Sequence, residues 1–218
     1  MCNVIHEAVI GRRIHYRAAC RAVGNGLTFP LEKAMYFDVI FSGFGGQGAL
    51  FAGQLLAYAA MDAGLQVTWI PSYGPEMRGG TAHCTVIIAD EEIGSPLVAH
   101  PLHVVALNNP SLEKYEPLVI PQGRLIYNVS LAVREATRED ISVIPIPASN
   151  VADELGSPRL LNMVMMGALL ACSDVLPAAA IERALDEHLP ARHRDLLELN
   201  KSALWRGIEL AQTIPAHV

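Results

Sequence analysis

The amino-acid sequence predicts an α/β fold: a three-layer αβα sandwich on a mostly parallel or mixed sheet, with a helical C-terminal section. Three observations carry this expectation. Six short apolar runs of strand length lie between Phe37 and Ile146. The first run passes through a glycine turn into a long helix rich in small residues. Past Leu160 the pattern is helical.

Each element has its own reason. Phe37 to Phe41 (FDVIF) is an apolar run of the kind that buried parallel strands show. Gly43 to Gly48 is a turn. Ala49 to Ala63 reads as a helix, with Gly64 just past its end, where glycine is favoured. Its small residues Ala49, Ala52, Gly53, Ala57 and Ala60 allow close packing on a sheet. Val67 to Ile70 is the second strand and Ala82 to Ile88 the third, where Val86-Ile87-Ile88 implies burial on both faces. Val104 to Leu107 is the fourth, stopping at Asn108-Asn109-Pro110, and Leu125 to Tyr127 is the fifth, stopping at Asn128. Ile141 to Ile146 is the sixth, and Pro145 puts its end near a sheet edge. Leu160 to Cys172, Ala178 to His188 and Arg194 to Leu210 read as helices.

Composition narrows the function. With 51% hydrophobic and 17% charged residues among 218, the chain has ample core material and is not disordered. A formal net charge of −6 argues against gripping nucleic acid, and aromatics at 6% leave few platforms for stacked bases. No apolar run approaches the ~20 residues of a membrane span. The N-terminus lacks the apolar core of a secretory signal. Cys2, Cys20, Cys84 and Cys172 are scattered without a CxxC pair, so no iron–sulfur cluster, zinc knuckle or disulfide framework is expected. Incidental thiols in a reducing cytoplasm are the simpler reading, and the chain is expected to be cytoplasmic.

Charge divides the chain. Residues 1–34 carry Arg12, Arg13, Arg17, Arg21 and Lys33 against Glu7 and Glu32, a net +3, while 35–218 carry a net −9. Gly24-Asn25-Gly26 and Pro30 then break the chain. Residues 1–34 are expected to be an arm, with the compact domain spanning 35–218. The arm serves either as a docking or nucleic-acid-binding tail or as an extension of little role, and the second is preferred because short charge runs are weak signals.

Gly43-Phe44-Gly45-Gly46-Gln47-Gly48 fits G-x-G-x-x-G between a strand and a helix. Glycines let the backbone turn tightly and approach a ligand, and the helix start aims N–H groups and a positive dipole end at the turn. A phosphate is the natural guest; a tight turn without ligand is the alternative. A dinucleotide site would add an acid about 20 residues on. The second strand ends at Ile70-Pro71-Ser72 instead, so the nicotinamide reading loses its second half.

The loop Ser72-Tyr73-Gly74-Pro75-Glu76-Met77-Arg78-Gly79-Gly80-Thr81 should leave the carboxyl end of the second strand and face the glycine turn. Arg78 offers a planar donor to phosphate or carboxylate, and Glu76 orients it or pairs with another chain. Ligand binding and subunit docking both stay open here.

These segments resemble the gamma subunit of 2-oxoacid:ferredoxin oxidoreductases. The likeness is carried by FSGFGGQG, SYGPEMRGGTAHCTVIIADEEIGSP, LNNPSLEKY, YNVSL, LNMVMMGALLA and EHLPARHRDLLELNKSAL, from about Met35 to about residue 212. SYGPEMRGG is the most specific part, and residues 1–34 have no counterpart. The resemblance implies a subunit of a complex that decarboxylates a 2-oxoacid oxidatively, joins the acyl group to coenzyme A and passes electrons to ferredoxin. It implies alpha, beta and delta-type partner subunits, with thiamine diphosphate and iron–sulfur clusters held there and no catalytic residue or metal here. By transfer, Gly43, Gly45, Gly46, Gln47 and Gly48 would cradle a phosphate of coenzyme A. Tyr73 and Arg78 would serve a phosphate or docking. Asn109 and Asn128 would either hydrogen-bond the ligand or act as turn and cap residues. The beta subunit of indolepyruvate oxidoreductase shares this domain and stays an alternative, as do a stand-alone nucleotide-dependent oxidoreductase and a purely architectural subunit. The isolated chain is open to self-association through surfaces meant for partners.

Other chemistry is thinly supported. The histidines form no HExxH set, and His83 is expected to be a satisfied strand residue. Met163, Met165 and Met166 belong to a core or an interface. Ser42 and Ser72 lack an adjacent His–Asp pair, which leaves no activated nucleophile.

Overall fold

The computed structural model describes residues 35–74 and 81–214. The proposed arm lies outside the described residues. Six strands form one mixed sheet in the order β2-β3-β1-β4-β5-β6. They are β1 (Tyr36–Phe44), β2 (Gln66–Tyr73), β3 (Thr81–Ala89), β4 (His103–Ala106), β5 (Arg124–Asn128) and β6 (Ser142–Ile146). β1, β4, β5 and β6 run parallel. β3 runs antiparallel to both β1 and β2, so β2 points the same way as β1. β6 is an edge strand, as Pro145 implied.

Strand alternation sends Phe37, Val39 and Phe41 to one face and Ile40 to the other. The first face is covered by the main helical layer. This comprises α1 (Ala49–Asp62), α3 (Ala148–Glu154), α4 (Leu161–Cys172), α5 (Ala178–His188) and α6 (Leu197–Thr213). The second face carries a smaller cluster built on Leu112 and Tyr115 of α2 (Asn109–Tyr115). The three layers are therefore unequal. Val86, Ile87 and Ile88 are fully buried, as expected for a strand covered on both sides. Met163, Met165 and Met166 are also fully buried, as core.

α1 ends in a Schellman motif. Gly64 takes φ +80, its N–H reaches Met61 O at 2.9 Å, and Leu65 N–H reaches Ala60 O at 3.0 Å. α4 and α6 cross at two glycines. A Cβ on Gly167 would lie 2.0 Å from Leu204 O, and one on Gly207 would lie 1.9 Å from Val164 O. Two short helices, α2 and α3, add to the expected set, and the last expected helix opens with a 3-10 segment, Ala191–Leu196, before α6. Among the described residues no helix is long and apolar enough to cross a membrane.

Candidate ligand site at the carboxyl ends of the strands

The chain leaves β1 into α1 on one face and leaves β4 into α2 on the other. β1 and β4 are neighbours, so the sheet has a topological switch point between their carboxyl ends, where open α/β sheets bind ligands. The glycine turn sits on one side of that crevice and Asn108 on the other.

The turn is built without side-chain bulk. Gly46 and Gly48 take φ +100 and +79, values that L side chains rarely adopt. Gly45 and Gly46 are exposed, and a Cβ on Gly46 would meet nothing within 4 Å among the described residues. Gly48 is the N-cap of α1. Gly48 offers no side-chain cap and no acid lies in the helix's first turn, so among the described residues its leading N–H groups and positive dipole end meet no internal competition. Gly43 admits the Gln47 side chain: a Cβ there would lie 2.8 Å from Gln47 Oε1.

Gln47 is part of the framework of the turn. Its N–H donates to Phe44 O at 3.1 Å, and its Oε1 accepts from Phe44 N–H at 2.7 Å. The same oxygen accepts from Asn108 Nδ2 at 2.9 Å. Asn162, at the start of α4, braces the other side by donating from Nδ2 to Gly48 O at 3.3 Å. A Cβ on Gly48 would fall 2.2 Å from that nitrogen, so glycine is required twice over. Asn162 Oδ1 is buried without a partner.

The asparagines divide differently from the expectation. Asn108, buried, is the one that reaches the turn, and its Oδ1 caps α2 by accepting from Ser111 N–H at 3.0 Å. Asn109 points elsewhere: it donates to Glu113 Oε1 at 2.7 Å and accepts from Val133 N–H at 3.0 Å. Asn128 is a buried cap. Its Nδ2 donates to Leu107 O and Ser149 Oγ, and its Oδ1 accepts from the N–H groups of Ser130, Ala148 and Ser149. Both amide hydrogens are spent, so Asn128 has no donor left for a ligand. Asn128 thus acts as a cap, and Asn109, the first residue of α2, ties Val133 to that helix.

The β2–β3 hairpin rises at the same end of the sheet. Phe44 registers with Thr81 and Tyr73 with Ala82, and Gly74 N–H closes on Thr81 O at 2.8 Å. Tyr73 is 74% exposed. Arg78 and Glu76 lie outside the described residues. His83, half-buried, has its ring 5.8 Å from Tyr115, and burial together with nearby Lys114 holds its pKa below the usual value. Cys84 is buried and its thiol is pushed up to about 12 by that burial, which leaves it no thiolate for chemistry at neutral pH.

Sequence reasoning missed Asn108 and Asn162. A signal for Asn108 was present: an Asn two residues before Pro110 fits a helix N-cap with proline in the first turn. Asn162 sits inside a long apolar helix and carries no local signal.

A family profile described as pyruvate ferredoxin/flavodoxin oxidoreductase matches residues 38–210. Ketoisovalerate oxidoreductase subunit VorA of Methanothermobacter thermautotrophicus is 41% identical over 175 residues, covering 80% of this chain and 36% of that protein. The chain thus spans about a third of that relative's length. The 2-oxoglutarate synthase subunit KorC of Methanothermobacter marburgensis is 35% identical over 180 residues, covering 79% of this chain and 95% of that subunit. Among solved structures, the keto/oxoacid ferredoxin oxidoreductase gamma subunit of Geobacter sulfurreducens superposes with a TM-score of 0.71 at 28% identity. It covers 81% of this chain and 97% of that one. The match over residues 38–210 in sequence, and over 81% of the chain in fold, makes this chain a member of the pyruvate ferredoxin/flavodoxin oxidoreductase family.

Proposed function

We propose that the chain is the gamma-type subunit of a multi-subunit 2-oxoacid:ferredoxin oxidoreductase and holds the phosphates of coenzyme A at its glycine turn. The observation that carries the phosphate reading is the uncapped start of α1, free of acids, behind exposed Gly45 and Gly46 at the switch point between β1 and β4. Gly43, Gly45, Gly46, Gln47 and Gly48 form the cradle, Gln47 as much by bracing it as by touching the ligand. Tyr73, at the end of β2, and Arg78 contact a phosphate or a partner subunit. The contribution to catalysis is positional: fixing the carrier's phosphates brings its thiol to thiamine diphosphate bound by a partner subunit, a proximity effect. Electrons leave through iron–sulfur clusters in partner subunits toward ferredoxin, and the assembly works in the cytoplasm.

The test uses the assembled complex. Gly45→Glu sets a negative charge at the mouth of the turn and is expected to raise KM for coenzyme A by about tenfold or more, at least one charge-assisted contact's worth. KM for the 2-oxoacid should not change. An unaltered response to coenzyme A would remove the phosphate cradle and leave an architectural subunit.

A further inference from the structure

The Gln47 carboxamide has only one orientation that its neighbours allow. Its Oε1 receives two donors, Phe44 N–H at 2.7 Å and Asn108 Nδ2 at 2.9 Å. Turning the amide over would set its own NH2 against both. Asn108 is fixed in the same way, because its Oδ1 accepts from Ser111 N–H at the start of α2. Helix α2 therefore dictates the sense of Asn108, and Asn108 dictates the sense of Gln47. What remains is the Gln47 NH2. It has no acceptor among the described residues and is not a buried atom, and Gln47 lies between exposed Gly46 and the N-cap Gly48.

We infer that Asn108 is a positioning residue: it locks the Gln47 amide with its oxygen inward and its NH2 toward the crevice, so that the turn meets an anion with a donor. The inference rests on the reading of this crevice as the site for the phosphates of coenzyme A. Phosphate oxygens only accept, so an outward amide oxygen would repel them, whereas an outward NH2 adds a hydrogen bond to those of the helix start. Burial makes the lock firm. Asn108 is 4% exposed, and leaving its amide or the Phe44 N–H unpaired would cost the desolvation of that group.

Two substitutions in the assembled complex test this. Asn108→Asp keeps the cap on Ser111 but sets a carboxylate oxygen against Gln47 Oε1, so the lock is lost: either the two oxygens repel, or the amide turns its oxygen to the ligand and its NH2 against Phe44 N–H. Gln47→Glu keeps an acceptor for Phe44 and Asn108 and removes the NH2. Each is expected to raise KM for coenzyme A by about tenfold, the scale of one lost hydrogen bond to a charged group. The loss should fall on KM for coenzyme A far more than on turnover at saturating coenzyme A or on KM for the 2-oxoacid, a split that general damage to the fold would not give. If Gly45→Glu weakens the response to coenzyme A while Asn108→Asp and Gln47→Glu do not, the lock is overturned and the site survives. If none of the three changes it, the site itself is lost and the inference with it. Should Asn108→Asp fail to assemble, Gln47→Glu alone decides.

Discussion

Asp38 brings a carboxyl group into the sheet with no cation beside it among the described residues. It is 5% exposed, and its Oδ1 accepts from Leu102 N–H at 2.8 Å. Burial raises its pKa from 3.8 to about 6, and the hydrogen bond from Leu102 only partly opposes that. The folded state thus holds the proton more tightly than the unfolded one. The Asp38 contribution to folding stability is most favourable below the ordinary value of 3.8, falls as pH rises toward about 6, and stays at the lower level beyond. Asn keeps the acceptor for Leu102 and never ionises. Asp38→Asn is therefore expected to stabilise the fold near neutrality by roughly 2 to 3 kcal/mol and to flatten the pH dependence in that window. Urea unfolding of both proteins across the window checks it, and a variant that gains nothing near neutrality would show that the carboxylate is not penalised. The neighbouring His103 obeys the same physics with the opposite charge. Burial, helped by Arg124, pushes its pKa down to about 3, so the ring is neutral. Its Nδ1–H donates to Asp38 O at 2.9 Å, leaving Nε2 to face Arg124 Nη1 at 3.3 Å.

At the level of elements, the crossing of α4 and α6 depends on two missing side chains. With Cβ positions 2.0 and 1.9 Å from the opposing backbone, even alanine would force the helices apart. Gly207→Ala should cost about 3 kcal/mol or more, despite alanine's better helix propensity of about 1 kcal/mol. Thermal unfolding measures it, and a neutral or stabilising result would mean the helices are not in that contact. This crossing was invisible in the sequence, because nothing local ties Gly167 to Gly207. The strands were legible because each is an apolar run bounded by turn residues: β1, β3 and β6 lie within two or three residues of the expected spans at either end. α2 and α3 escaped because seven residues are too few to display a helical period. That omission hid the cap at Asn108, since a capping residue is recognisable only once the helix behind it is. Gly43 to Gly48 was readable for its shape, yet the inward turn of Gln47 needed β4 beside β1, a long-range fact.

The whole molecule distributes its helices unevenly over the sheet, and the uneven side bears on how it works with others. The main helical layer seals one face. On the other face the cluster under α2 covers the β1–β4–β5 side, while at the far edge Ile70 of β2 is 37% exposed, and Tyr73 stands at the strand's end beside the proposed ligand crevice. An apolar edge that the described residues leave uncovered, next to the proposed ligand site, fits a subunit whose site is completed by a partner. The thiols point the same way. Cys84 is buried in the core and Cys172 is half-buried at the end of α4, and the four cysteines contain no CxxC spacing with which to ligate a cluster. The purified chain is therefore expected to be colourless, to lack iron and to turn over no 2-oxoacid with ferredoxin, while the reconstituted complex is coloured, holds iron and turns the 2-oxoacid over. Iron analysis and visible absorption of the chain alone are the decisive measurements. Iron in stoichiometric amount would mean that this chain carries a redox centre after all, and the division of labour in which it positions the acyl carrier while its partners move electrons would have to be abandoned.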